Sequence, residues 1–148
     1  MKRNLLVLLT LLLTVTLFAC GGEEPATADA VLTVSGGEVE ESYSAADLRA
    51  LSATTATVEG ITYRGVSLPT LLEDAGFDPE QIATVEAVAD DGFSATYEPE
   101  LFAREDTVVA YERADGELAG DEQPFRMVLP EQRGRLNVRM LVRLEVSQ

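Results

Sequence analysis

Arginine, carboxylate, hydroxyl and tyrosine are the groups left to do chemistry in this sequence once its first twenty residues are set aside. There is no histidine, and the one cysteine is Cys20. This excludes Ser-His-Asp and Cys-His nucleophilic machinery, zinc sites built from imidazole or thiolate and haem held by His or Cys. No Gly-rich phosphate loop of the P-loop or dinucleotide type is present. What remains is recognition chemistry. Nine arginines follow Cys20, and five of them come after residue 125: Arg126, Arg133, Arg135, Arg139 and Arg143. Guanidinium forks match carboxylates and phosphates. The cluster therefore reads either as an anion pocket or as cross-strand partners for Glu131, Glu145 and other surface acids. Asp90, Asp91, Glu98 and Glu100 offer oxygen ligands, but their spacing fits no calcium loop, and a solvated turn is the simpler reading. Tyr63, Phe93, Tyr97 and Tyr111 fall on expected strands, as core or as the lining of a cleft. No metal site is expected.

The elements that must position these residues can be read along residues 31–148, enough chain for one domain. Val31 to Ser35 predicts a strand turned by Gly36-Gly37, and Glu38 to Tyr43 a second, polar one. Ser44 predicts a capping box with Asp47 at the start of a short helix holding Leu48 and Leu51. Strands are expected over Thr54–Glu59 and Ile61–Arg64. Ser67 to Gly76 predicts the clearest helix, with Pro69 in the first turn, Gly76 as its stop, and Leu68, Leu71, Leu72 and Ala75 on one face. Ala83–Ala89 alternates as a strand, and Asp90-Asp91-Gly92 turns into Phe93–Tyr97. A short helix over Pro99–Ala103 and a strand over Thr107–Tyr111 follow, with a hairpin at Asp115-Gly116 and a strand over Phe125–Leu129. The last strand is expected to be long, with Leu136, Val138, Met140, Val142, Leu144 and Val146 on a core face and Asn137, Arg139, Arg143 and Glu145 on the other. The expectation is an α+β domain, mostly β in a mixed, barrel-like sheet, with two or three short helices.

The first residues read as an address. A basic start at Lys2 and Arg3 leads into fourteen residues from Leu5 to Phe18 that are apolar except for threonines. That is the layout of an export signal and falls short of the roughly 20 residues a membrane span needs. Leu17-Phe18-Ala19-Cys20 resembles a lipobox, with Phe18 bulkier than usual. The resemblance implies a signal peptide over 1–19, cleavage before Cys20 and lipidation (palmitate among the acyl chains) on that residue. Residues 20–30 then form a flexible tether. Gly22, not Asp, follows the first residue after Cys20, which by analogy with known lipoprotein sorting favours the outer membrane where a cell has one. The expected place is the cell envelope, lipid-anchored and facing periplasm or exterior. The formal charge is −15, and removing Lys2 and Arg3 takes it to −17. A surface this acidic repels nucleic acid, so no nucleic-acid partner is expected.

Tyr63-Arg64-Gly65-Val66-Ser67-Leu68, with Leu71-Leu72 and Ala75-Gly76, resembles a signature of the sulfite-oxidase-type molybdopterin-binding domain. Four further pieces resemble that family in order: Ala87 to Phe93, Val108 to Glu117, Pro124-Phe125-Arg126-Met127-Val128-Leu129-Pro130, and Gly134 with the closing strand. The resemblance covers nearly all of residues 31–148. It implies the family's fold and a molybdenum cofactor held by a cysteine ahead of the Tyr-x-Gly-Val motif. The chain departs there: Thr54 to Ile61 holds no cysteine, and Glu59 and Gly60 occupy the neighbourhood. Where the family often has His-Gly-Gly, this chain has Gly120-Asp121-Glu122-Gln123, with carboxylates that repel a cofactor phosphate. Arg139 falls near the family's closing basic residue.

The sequence therefore predicts the scaffold without its metal ligand, and so no cofactor and no catalytic residue. The leading expectation is a non-catalytic module that binds a small anionic ligand or a partner protein, with Arg64, Arg126, Arg139 and Tyr63 as candidate ligand-binding residues. Arg64 reads equally as surface. Two alternatives stay open: a molybdopterin-dependent oxidoreductase subunit, and an accessory subunit of a membrane complex that docks through a sheet edge.

Overall fold

The computed structural model describes residues 30–148. The expected export signal, Cys20 and nearly all of the expected tether lie outside those residues.

Polar alternation and turn glycines set up the first unit. β1 (Val31–Gly36) and β2 (Val39–Ser44) form an antiparallel hairpin. Ser44 then caps α1 (Ala45–Ala50) through the expected capping box with Asp47. β3 (Ala53–Val58) and β4 (Ile61–Ser67) form a second hairpin. Its two-residue turn, Glu59-Gly60, has φ of 52° and 81°. Two consecutive positive φ values match the twist of the flanking strands and suit Asn-Gly or Gly-Gly. A glutamate at the first of them costs about 1–2 kcal/mol.

α2 (Leu68–Asp74) starts where Ser67 accepts a hydrogen bond from the Thr70 amide, and Leu68, Leu71 and Leu72 are buried along it. A short 3₁₀ turn at Pro79–Gln81 leads to β5 (Thr84–Ala89) and β6 (Ser94–Tyr97). α3 (Pro99–Phe102), β7 (Val108–Arg113), β8 (Arg126–Val128), a 3₁₀ turn at Gly134–Leu136 and β9 (Leu141–Ser147) complete the domain. The mostly β, mixed-sheet architecture with three short helices is the one expected.

Two sheets form. One has five strands in the order β2-β1-β9-β5-β6, with β1 and β9 parallel; the other is a curled sheet of four strands, β3-β4-β7-β8. The main core lies between them and under α2, with Leu32, Leu72, Tyr97, Met127 and Leu144 fully or almost fully buried. A smaller core covers the other face of the four-stranded sheet, where Tyr63, Val108, Leu118 and Val128 pack together. Alternate residues of β7 serve the two cores: Val108 and Ala110 the small one, Val109 and Tyr111 the large one. The bulge between Arg64 and Gly65 brings β4 hard against β7. A Cβ on Gly65 would sit 2.0 Å from the Val109 carbonyl oxygen, so the motif glycine is there for space.

Two expectations are corrected. The last strand does not begin at Leu136. Residues 134–136 form the 3₁₀ turn, and 137–140 cross from one sheet to the other. In that crossing Val138 accepts from the Met127 amide, Met140 accepts from the Asp90 amide, and the Leu141 amide donates to Phe125, each at 2.8 Å. These bonds spend on two different sheets the backbone groups that a longer β9 would use on one. Met140 turns the corner at a φ of 51°. Alternation fails too at Val142, where the β5–β9 register slips by one residue between Val88 and Ala89, so Leu141, Leu144 and Val146 are the buried positions. Asn137, expected on a polar face, is buried. Its side chain accepts from the Leu129 amide and donates to the Gln132 carbonyl. The second correction concerns Asp115-Gly116. The turn is there, with Arg113 and Gly116 bridged, but it opens no strand pair. The chain wanders through Leu118 and Glu122 before β8.

Candidate functional site

A cleft of about 500 Å³ opens where the ends of the two sheets meet. The end of β3 and its turn supply Val58 and Glu59, the β5–β6 turn Asp91 and Phe93, the 3₁₀ turn Arg135 and the crossing segment Arg139. Asp121 closes one side, and buried Arg126 forms part of the wall. Two of the three non-glycine residues with positive φ among the described residues, Glu59 and Met140, line this cleft; the third, Glu131, does not. Residues held in sparsely populated backbone regions cluster at ligand sites. Phe93 is 37% exposed, one of two large apolar side chains left open on the surface. The cleft thus joins an apolar rim to three guanidinium groups.

Those three are not equally committed. Arg139 pairs with Asp121 at 2.6 Å, both side chains half exposed or more. Such exposed pairs contribute about 0–1 kcal/mol and open readily. Arg135 makes no ion pair among the described residues. Arg126 is held from behind. Its Nη1 donates to Glu122 and, at 2.7 Å, to the Tyr63 hydroxyl, while its Nε is buried without a partner.

Behind the cleft wall lies a closed network centred on Glu122, which is 2% exposed. Tyr63 Oη donates to Glu122 Oε1 at 2.7 Å. Arg113 Nε and the Ala119 amide donate to Oε2 at 2.9 and 3.0 Å. The Tyr63 ring carries both guanidinium groups on its face, Arg126 at 4.7 Å and Arg113 at 5.9 Å from the centroid. Burial pushes the Glu122 carboxyl up, yet the bonds from Tyr63, Ala119 and Arg113 and the charge of Arg126 together hold it below the usual glutamate value. Burial, with the Glu122 bond, raises the Tyr63 phenol. The hydrogen bond to Glu122 raises Arg113. One carboxylate is shared between two guanidinium groups, so the network keeps one net positive charge beside the cleft.

The candidates from the sequence separate accordingly. Arg126 and Arg139 meet at the cleft. Tyr63 reaches it only through Arg126. Arg64 lies on the opposite face of β4 from Tyr63, 56% exposed and 3.5 Å from Glu112, which also pairs with Arg49. Arg143 pairs with Glu145 along its own strand. Asp90, Asp91, Glu98 and Glu100 do not converge, and no group of three metal-holding side chains occurs among the described residues. Tyr97 and Tyr111 are core, and Phe93 lines the cleft. Sequence reasoning had Glu122 only as an obstacle to phosphate. Its partners Arg113 and the Ala119 amide, nine and three positions away, gave no signal because the irregular connection from β7 to β8 carries no periodic pattern, and Tyr63 lies 59 positions away.

A family model described as the oxidoreductase molybdopterin binding domain matches residues 25–148. The chain belongs to that family. Among solved structures it is similar to the sulfane dehydrogenase SoxCD from Paracoccus pantotrophus, with a TM-score of 0.66 and 22% identity. That likeness covers 80% of this chain and 38% of the other, so the chain spans well under half the length of the enzyme chain it resembles. It speaks for the fold. No curated protein matches the chain.

The family implies molybdopterin, and the donor set does not fit its metal. Residues 30–148 contain neither cysteine nor histidine, and the oxygen ligands facing the cleft, Glu59, Asp91 and Asp121, come from three separate loops. Soft thiolate donors, which hold soft metal centres well, are missing from the site.

Proposed function

We propose that this family member is a non-catalytic binding module, tethered to a membrane through Cys20 and facing away from the cytoplasm. In this reading its cleft holds a small organic anion with an apolar body. One observation carries it: Arg135 is unpaired and Arg139 lightly paired on a cleft whose apolar rim includes Phe93. A carboxylate would bridge the two guanidinium groups, and a ring would lie against Phe93 and Met140. The volume is within the ordinary range of small-ligand pockets, roughly 300–1,000 Å³. The tether rests on the lipobox-like Leu17-Phe18-Ala19-Cys20.

Benzoate and inorganic phosphate, titrated calorimetrically into the purified protein, test the cleft. Saturable benzoate binding should weaken at least about tenfold, some 1.4 kcal/mol, in Arg135→Ala. Absence of saturable binding by either probe would overturn the reading. For the tether, Cys20→Ser should move the protein from the membrane to the soluble fraction; a variant that stays membrane-bound speaks against lipidation.

A further inference from the structure

Glu122 is a charged side chain sealed inside the protein, away from the solvent that normally supports one. It survives because the surroundings form an anion hole: the Tyr63 hydroxyl, the two guanidinium groups of Arg113 and Arg126, and the Ala119 amide all donate to it. These donors come from β4, β7, β8 and the connection between the last two. Three of the four belong to elements that do not need Glu122 for their own pairing. The Ala119 amide alone belongs to the same loop, as part of a turn in which the Glu122 amide donates back to Ala119.

We infer that Tyr63, Arg113, Arg126 and the Ala119 amide form a binding site for a small carboxylate, and that Glu122 fills this site as the chain's own ligand. Two features favour a built site over a surface ion pair. Glu122 and Arg126 are both almost fully buried, so no water competes for the lone pairs. There are also two guanidinium groups around the one carboxylate, so an empty site would hold two unmatched positive charges, one of which an anion in this position neutralises. The depressed carboxyl of Glu122 agrees with this. In the wild-type chain the site is closed to outside anions, because Glu122 stays bound at the high effective concentration of an intramolecular group.

The test removes the internal ligand and offers it back. Glu122→Ala deletes a CH₂–COO⁻ group, which has the atoms of acetate. Thermal unfolding of the full chain is followed at pH 7 in sodium acetate or sodium chloride of equal ionic strength. Without acetate, Glu122→Ala should melt roughly 10–20 °C below wild type, the effect of stripping a buried ion pair of one partner. Acetate should raise that Tm saturably by several degrees more than chloride does. Wild type, with only the open cleft free to take the anion, should gain clearly less from acetate than Glu122→Ala does. Glu122→Gln fills the space without the charge, so it should melt below wild type and show no acetate-specific rise. The inference falls if Glu122→Ala responds equally to both salts, if it stays unfolded at every acetate concentration, or if Glu122→Gln gains from acetate as much as Glu122→Ala does. Arg135→Ala leaves this readout untouched, so the cleft reading and this one fail separately.

Discussion

Two of the places where arginine and carboxylate meet in this domain have opposite consequences. Around Glu122 they meet in the dry small core, and every strong partner is fixed. At the cleft, Arg135, Arg139, Asp91, Asp121 and Glu59 meet in water. There one guanidinium is unpaired and one holds a single exposed carboxylate. Arg126 belongs to both places, pinned by Glu122 on one side and facing the cleft on the other. The difference lies in dielectric. Charges that are buried must be matched for the fold to stand, whereas exposed charges cost little to leave unmatched and so remain available to a ligand. In a chain of net charge −15, an Arg135 without an ion pair among the described residues is the feature on which the proposed binding role rests.

The comparison can be broken most forcefully at Arg126. Arg126→Met should destabilise the domain by about 3–5 kcal/mol, since it leaves part of the Glu122 charge buried without its partner; chemical denaturation at pH 7 measures this. A cost below about 1 kcal/mol would mean that Arg113 alone satisfies Glu122. Tyr63→Phe keeps the ring beneath the guanidinium groups and removes one hydrogen bond to a charged acceptor. Its cost should be smaller, about 1.5–3 kcal/mol.

Acid should act on the closed network as well. The folded-state carboxyl of Glu122 lies below its ordinary value near 4.5, so its contribution is complete above that pH and is lost as pH falls through the lower, folded value. Denaturation midpoints should be level near neutrality and fall in acid. In Glu122→Gln the part of that fall due to this group should vanish. The smallest stability change belongs to the cleft: Arg135→Ala should stay within about 0.5 kcal/mol of wild type while losing benzoate. A large destabilisation there would erase the distinction between the two regions.

Much of the framework was legible because it is local. The capping box at Ser44 and Asp47, the leucine face of α2, and the Asp90-Asp91-Gly92 turn are all written within a few residues. Period-two patterning located β5, but it overran at β9. There the pattern Leu136 to Val146 is real in the sequence, yet the backbone between 137 and 140 is bonded to two sheets, and Asn137 is turned inward by hydrogen bonds that patterning cannot register. The site was legible only in part, for a similar reason. Arg126 and Arg139 stand out by type in a lysine-poor chain, but which face of β4 carries Tyr63 and which carries Arg64 follows from strand pairing. Glu122 looks like a loop acid until β4, β7 and β8 are brought around it.

The most direct test of the central claim is the molybdenum content of the protein isolated from the cells that make it, measured by mass spectrometry against protein concentration. A binding module without a thiolate donor in its cleft should carry molybdenum far below one atom per chain, in both wild type and Arg135→Ala. A ratio near one in wild type would contradict the account and establish a cofactor-bearing oxidoreductase subunit in its place.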